Sequence, residues 1–191
     1  MDGSGKSTFA AALAQCLGVR PVEVVHLDDF RNRSAIRYRR GRDSPEGFWL
    51  DTYNYEAIQQ DVLEPLKAAG HGRYRAASYD AVADRAVRSP RRQAAGDAIV
   101  LIEGMFLHRN RLTEVWDYSV FLDVPFEETA RRMAERNGSH PDPRHESMRR
   151  YVGGQELYFA VRPWERASIV IDNSVPTCPS VIAADKASAA R

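Results

Sequence analysis

Apolar residues along this chain fall into short uninterrupted runs separated by stretches of helical spacing. Val22–Leu27, Ala98–Ile102, Tyr118–Val124 and Ala167–Ile171 are rich in Val, Ile and Leu and read as buried strands. Residues 6–17 read as a helix ending near Gly18. Residues 55–69 repeat apolar positions at Ile58, Val62, Leu63 and Leu66 before Gly70, with a kink expected at Pro65. Helical spacing returns over 127–136 and, after the turn-rich stretch Asn137–Pro143, through Tyr158. Residues 31–50 are arginine-rich and broken by Gly41, Pro45 and Gly47, so they read as irregular. Residues 73–79 and 85–92 suggest two short strands around a turn. The end of the chain, residues 186–191, is small and polar and is expected to fray. There is no internal repeat. Apolar strands alternating with helices predict an α/β fold, a mostly parallel central sheet covered on both faces in three layers.

Composition narrows the picture without redirecting it. At 191 residues the chain is one domain's length, and 43% hydrophobic with 28% charged residues is ordinary for a globular protein. A net charge of +1 offers no global attraction to nucleic acid or membrane. Two cysteines, Cys16 and Cys178, do not make a disulfide framework and suit a reducing compartment. No apolar run approaches a membrane span and no signal peptide is visible, so the expected location is cytoplasmic. The arginine runs at 37–42 and 88–92 read as solvated loops, and the scattered histidines show no zinc spacing.

The chemistry starts at the first residues, Met1-Asp2-Gly3-Ser4-Gly5-Lys6-Ser7-Thr8. Gly5, Lys6 and Ser7 match the end of the phosphate-binding pattern G-x-x-x-x-G-K-[ST]. The pattern's first glycine would precede Met1, as would the strand that normally leads into such a loop. A start set downstream of the true one is the expected reason. Gly3 and Gly5 let successive N–H groups turn toward phosphate oxygens, and the following helix adds its positive end. Lys6 can reach the β- and γ-phosphates, and Ser7 can hold Mg²⁺.

Ligands of an open parallel sheet bind at the carboxyl ends of its strands. The phosphate loop, Asp28 after the second strand and Glu103 after the third all fall there. Together they meet the needs of phosphoryl transfer: a phosphate cradle, a metal bridging the phosphates, and a carboxylate that accepts the proton of the attacking hydroxyl. Asp29 competes with Asp28, because adjacent side chains in an extended segment point opposite ways. On the helix at 127–136, Arg131, Arg132 and Arg136 can serve as a lid over the triphosphate. The alternative is a solvated face pairing with Glu127, Glu128 and Glu135.

These residues resemble the uridine kinase and phosphoribulokinase family of P-loop kinases, from Met1 to about Asn173. Asp2–Thr8 is similar to the family's D-G-S-G-K-S-T loop, implying nucleotide contacts at Gly3, Ser4, Gly5, Lys6, Ser7 and Thr8. Leu27–Phe30 resembles its D-x-F segment, which maps the catalytic base and a metal-associated group to Asp28. Ile102–Phe106 resembles the E-G segment, which maps a Mg²⁺ ligand to Glu103. Thr129–Arg132 looks like the start of the arginine-bearing lid, at about 131–150, with Arg132 in a catalytic role and Arg131 and Arg136 on the nucleotide. Tyr79-Asp80 is similar to the Y-D pair of an acceptor-side hairpin at about 72–93, and Asp51 lies where the family carries an acidic ribose contact. Asp84 stands where uridine kinases place a histidine against the pyrimidine, and Arg31 replaces an aromatic residue.

The resemblance implies a single P-loop kinase domain over 1–185. It would use ATP or GTP with Mg²⁺ to phosphorylate a hydroxyl of a small molecule, foremost the 5′-hydroxyl of uridine or cytidine. The departures at Arg31 and Asp84 leave a pantothenate-like or sugar-like acceptor open. Loss of the first strand would leave an inactive nucleotide-binding remnant as a further reading. No nucleic-acid or membrane partner is implied, and a homo-oligomer is compatible with the sequence.

Overall fold

The computed structural model of the chain describes residues 2–109, 112 and 114–190. Met1, where the phosphate-loop stretch opens, and Arg191, the last residue of the expected tail, lie outside the described residues. In chain order the elements are helix α1 (Lys6–Cys16), strand β1 (Val22–His26), and helices α2 (Ser34–Arg37), α3 (Pro45–Asp51), α4 (Tyr55–Ile58) and α5 (Glu64–Leu66). Strands β2 (Arg73–Arg75), β3 (Tyr79–Asp80), β4 (Arg85–Ala86), β5 (Arg91–Gln93), β6 (Ile99–Glu103) and β7 (Val120–Asp123) follow. Then come helices α6 (Phe126–Asn137), α7 (Arg149–Phe159) and α8 (Pro163–Arg166), and strands β8 (Ile169–Asp172) and β9 (Ser180–Ile182). Among the described residues no helix is long and apolar enough to cross a membrane.

The chain divides into two compact units. One comprises Met1–Lys6, Arg40–Trp49 and Met105–Arg191, the other Ser7–Arg39 and Leu50–Gly104. In the second unit β1 and β6 pair in parallel, with Val22 opposite Ile99 and His26 opposite Glu103. The chain leaves β1 through a single 3-10 turn, Leu27–Phe30, whose Leu27 and Phe30 are fully buried. That burial fixes the turn, so Asp28 and Asp29 follow directly from the strand end. Gly104 is required where β6 ends: a Cβ there would stand 2.3 Å from the Cβ of Leu27. The close approach explains the Glu-Gly pair in physical terms.

The helix expected over 55–69 is interrupted rather than simply kinked. Asn54 caps α4 by accepting the Ala57 N–H at 3.1 Å, and residues Gln59–Leu63 widen into a π turn before α5. Pro65 has no N–H to donate and its ring crowds the carbonyl four residues back, which accounts for the widening. The two short strands expected around a turn appear as two separate antiparallel ladders, β2 with β5 and β3 with β4. Between them the Ser89 hydroxyl both accepts from the Ala77 N–H and donates to the Ala77 carbonyl, beside a long main-chain bond from the Ser89 N–H to that carbonyl at 3.4 Å. Pro90 cannot continue the ladder.

In the first unit β7 and β8 pair in parallel, and β9 adds antiparallel to β8. A three-residue strand such as β9 is too short to show alternation in the sequence. Helix α6 buries Thr129, Ala130 and Met133, and Met148 and Val152 pack into the same cluster. The stretch read as irregular holds α3, started by Ser44-Pro45-Glu46: the Ser44 hydroxyl accepts the Gly47 N–H at 3.0 Å and proline sits in the first turn. Phe48, Trp49, Phe106 and Tyr158 form an aromatic cluster in this unit, with Phe106 edge-to-face against the other three and Trp49 tilted on Tyr158. Residues 184–190, expected to fray in part, form two 3-10 turns. Ala187 is fully buried, and Ser188 donates to the buried Asp123 through its N–H at 2.6 Å and its hydroxyl at 2.9 Å.

Candidate active site

In the second unit the parallel register sets the site. Because His26 and Glu103 are opposite residues on β1 and β6, both side chains reach the same strand end. Glu103 Oε1 accepts the Ser7 hydroxyl at 2.9 Å and lies 2.6 Å from His26 Nδ1. Ser7 and Glu103 are therefore brought together, as the motif reading expects. His26 joins them, and sequence spacing gave no sign of it, because cross-strand register is not visible in one strand alone.

Asp28 accepts the Tyr53 hydroxyl at 2.9 Å on Oδ1. Asp29 follows it in the same turn at the strand end. Burial raises its carboxyl above the usual range, with the negative charges of Asp28 and Glu103 adding to the rise, while His26 and Arg31 oppose it. Asp29 thus shares the electrostatic environment of Glu103, and its main-chain carbonyl accepts from Ser78 at 3.0 Å.

The residues expected on the acceptor side are already engaged with one another. Asp84 Oδ1 accepts the Tyr79 hydroxyl at 2.7 Å and the Ser34 N–H at 2.8 Å, and Oδ2 accepts the Ser34 hydroxyl. Arg37 donates to the Tyr79 hydroxyl at 3.1 Å and lies 3.7 Å from Asp84. The Ser34 and Tyr79 bonds hold the Asp84 carboxyl down at about 2. Asp84 therefore ties the β3–β4 turn to α2. Asp51 is buried, 3% exposed, and accepts from Arg39 at 2.5 Å.

The phosphate loop opens in the first unit and is held from behind. Asn173, directly after β8, donates through Nδ2 to the Ser4 carbonyl at 2.7 Å. Gly5 has φ +84°, and a Cβ there would stand 2.9 Å from Asn173 Nδ2, so the loop approaches this side chain at glycine range. Arg132 donates to the carbonyls of Asn173 at 3.0 Å and Ser174 at 2.8 Å, and reaches the Gly3 carbonyl at 3.5 Å. Its Nε bonds Glu128 at 2.7 Å. The Asp2 N–H donates to Gln155 at 2.8 Å and its carboxylate accepts from Arg136 at 3.3 Å. Arg131 pairs with Glu128 and Glu135, and the two arginines hold the Glu128 carboxyl at about 2. Arg131 thus makes the same-helix pairing that the sequence offered as the alternative, whereas Arg132 divides between Glu128 and main-chain carbonyls and Arg136 reaches Asp2. Lys6 opens α1, and Ser7 and Thr8 are exposed in its first turn. Asn173 and Gln155 were not read as site residues, since neither lies in a motif.

Ser7 and Glu103 offer hard oxygen donors, which fit Mg²⁺. Among the described residues no three His, Cys, Asp or Glu side chains converge as a metal site by themselves.

Comparison with known proteins agrees with this arrangement. A family model described as "Phosphoribulokinase / Uridine kinase family" matches residues 1–137. Among solved structures, a possible uridine kinase from Bacillus stearothermophilus is 25% identical, with a TM-score of 0.67 over 87% of this chain and 82% of that one. A candidate fructose transport system kinase from Silicibacter sp. TM1040 is 27% identical, with a TM-score of 0.61 over 87% and 81%. No curated protein matches the chain. The parallel α/β strand pairs, the glycine-rich loop opening α1 and a family match over most of the length converge: the chain belongs to the phosphoribulokinase and uridine kinase family of P-loop kinases.

Proposed function

We propose that the chain transfers the γ-phosphate of ATP to a hydroxyl of a small-molecule acceptor, in the presence of Mg²⁺. The observation that carries this reading is the Ser7–Glu103 hydrogen bond at 2.9 Å, a phosphate-loop hydroxyl on the acid that ends β6. The acceptor oxygen bonds to the γ-phosphorus as the bond to the β–γ bridging oxygen breaks and ADP leaves. Asp28 takes the hydroxyl proton, with Tyr53 fixing its other carboxylate contact. Lys6 and the loop N–H groups offset charge on the phosphates. Bound Mg²⁺ would lower the charge on the β- and γ-oxygens, held by Ser7, Glu103 and Asp28.

Tyr79 on its hairpin supports a nucleoside acceptor such as uridine or cytidine. A sugar-like acceptor is the second reading, favoured by Asp84: its carboxylate is spent on Ser34 and Tyr79 where uridine kinases carry a base-contacting histidine. ADP release measured with both acceptor types separates the two. Asp28→Asn should cut turnover by roughly 10²–10⁴, the range of a general base, with ATP affinity nearly unchanged by calorimetry. Lys6→Ala should weaken both. ATP binding without ADP release for any acceptor would favour a nucleotide-binding remnant.

A further inference from the structure

His26 makes a contact that comes from strand register and not from any motif. It ends β1 directly opposite Glu103, the last residue of β6, so the two side chains stand on one face of the pair. The register is held by burial, since a slip of one residue would turn the buried Val25 to the other face. Glu103 Oε1 receives two donors, the Ser7 hydroxyl at 2.9 Å and His26 Nδ1 at 2.6 Å. A carboxylate oxygen only accepts, so Nδ1 carries the hydrogen, and the one proton of the Ser7 hydroxyl is spent on Oε1 as well. That leaves the lone pairs of Ser7 and, on Glu103, Oε2, which has no hydrogen-bond partner among the described residues. The Glu103 side chain is 11% exposed and that of His26 47%, which puts the imidazole at the rim of a mostly buried carboxylate.

We propose that His26 is a positioning residue for the divalent cation: its N–H fixes the Glu103 carboxylate so that Oε2 and the Ser7 oxygen form a pre-set pair of hard donors for Mg²⁺. The inference rests on the metal assignment within the kinase reading and adds a residue that lies in none of the motifs. Without His26 the carboxylate keeps only Ser7 on Oε1, and the terminal torsion of a glutamate is soft enough to let it turn. Ligating carboxylates are themselves held by hydrogen bonds, and losing the holder costs about 10–100-fold in metal affinity.

The test reads binding rather than turnover. Calorimetry gives the affinity of the full chain for a non-hydrolysable ATP analogue, once with Mg²⁺ and once with EDTA in its place. The ratio of the two is the gain due to the cation. His26→Leu, and His26→Ala beside it, should cut that gain by about 10–100-fold and leave the metal-free affinity unmoved. His26→Asn, which keeps an N–H near the position of Nδ1, should restore most of it. An unchanged gain in the leucine and alanine variants would overturn the inference. So would an equal loss of affinity with and without Mg²⁺, the mark of a residue that only supports the fold. A loss in His26→Asn as large as in His26→Leu would assign the effect to the ring's bulk and overturn it too. A native chain whose affinity gains nothing from Mg²⁺ would sink the inference together with the metal assignment. The kinase reading itself fails only if no acceptor releases ADP.

Discussion

Ser4 is fully buried in the phosphate loop, and its carbonyl accepts the Asn173 side-chain amide at 2.7 Å. A buried carbonyl that loses a donor keeps the desolvation cost without the compensation, so Asn173→Ala should destabilise the protein by about 1–3 kcal/mol in urea unfolding. If the bond also orients the loop, the KM for ATP should rise more than kcat falls. An unchanged KM beside lost stability would make Asn173 a purely structural residue. The same scale shows what could be read in advance. Lys6, Ser7, Asp28 and Glu103 announced themselves through motif spacing and strand ends. His26 and Tyr53 did not, because their roles come from partners 77 and 25 residues away.

At the scale of elements, the β3–β4 turn is closed from within by Asp80, which accepts the Val82 and Ala83 N–H groups at 3.1 Å each, and is tied to α2 by a second carboxylate. Asp84 sits at φ +47°, a left-handed conformation that strains most side chains, and its bonds to Ser34 and Tyr79 compensate. Those bonds favour the ionised form, lowering the folded value to about 2 from 3.8. A depressed carboxyl stabilises the fold above the unfolded value and ceases to as pH falls through the folded one. The urea midpoint of the protein should therefore exceed that of Asp84→Asn by a constant amount above about pH 4, and the gap should close toward pH 2. A gap that persists at pH 2 would show that shape, not charge, holds the turn. The long parallel strands were legible because their burial leaves runs such as Ile99–Ile102. The π turn at Gln59–Leu63 and β9 were not, since each depends on packing that a local window does not contain.

For the whole molecule, the distribution of tryptophan gives a direct measurement. Trp49, Trp116 and Trp164 all belong to the first unit, and the second has none. The backbone passes from one unit to the other at four peptide bonds, after Lys6, Arg39, Trp49 and Gly104. With so many covalent ties, tryptophan fluorescence and far-ultraviolet circular dichroism should trace one coincident unfolding transition. Two separated midpoints would show that the units melt independently.

The interleaving also governs how the gene could be cut. Cleavage after Gly104 gives an N-terminal fragment that carries every residue of the second unit together with two stray pieces of the first, Met1–Lys6 and Arg40–Trp49. The C-terminal fragment begins at Met105 and lacks both. It would hold Asn173 without the Ser4 carbonyl and Arg150 without the Arg42 and Ser44 carbonyls that accept its guanidinium. The chain is thus suited to split-protein complementation: neither half should be able to bind nucleotide in isolation, and a mixture of the two should regain it.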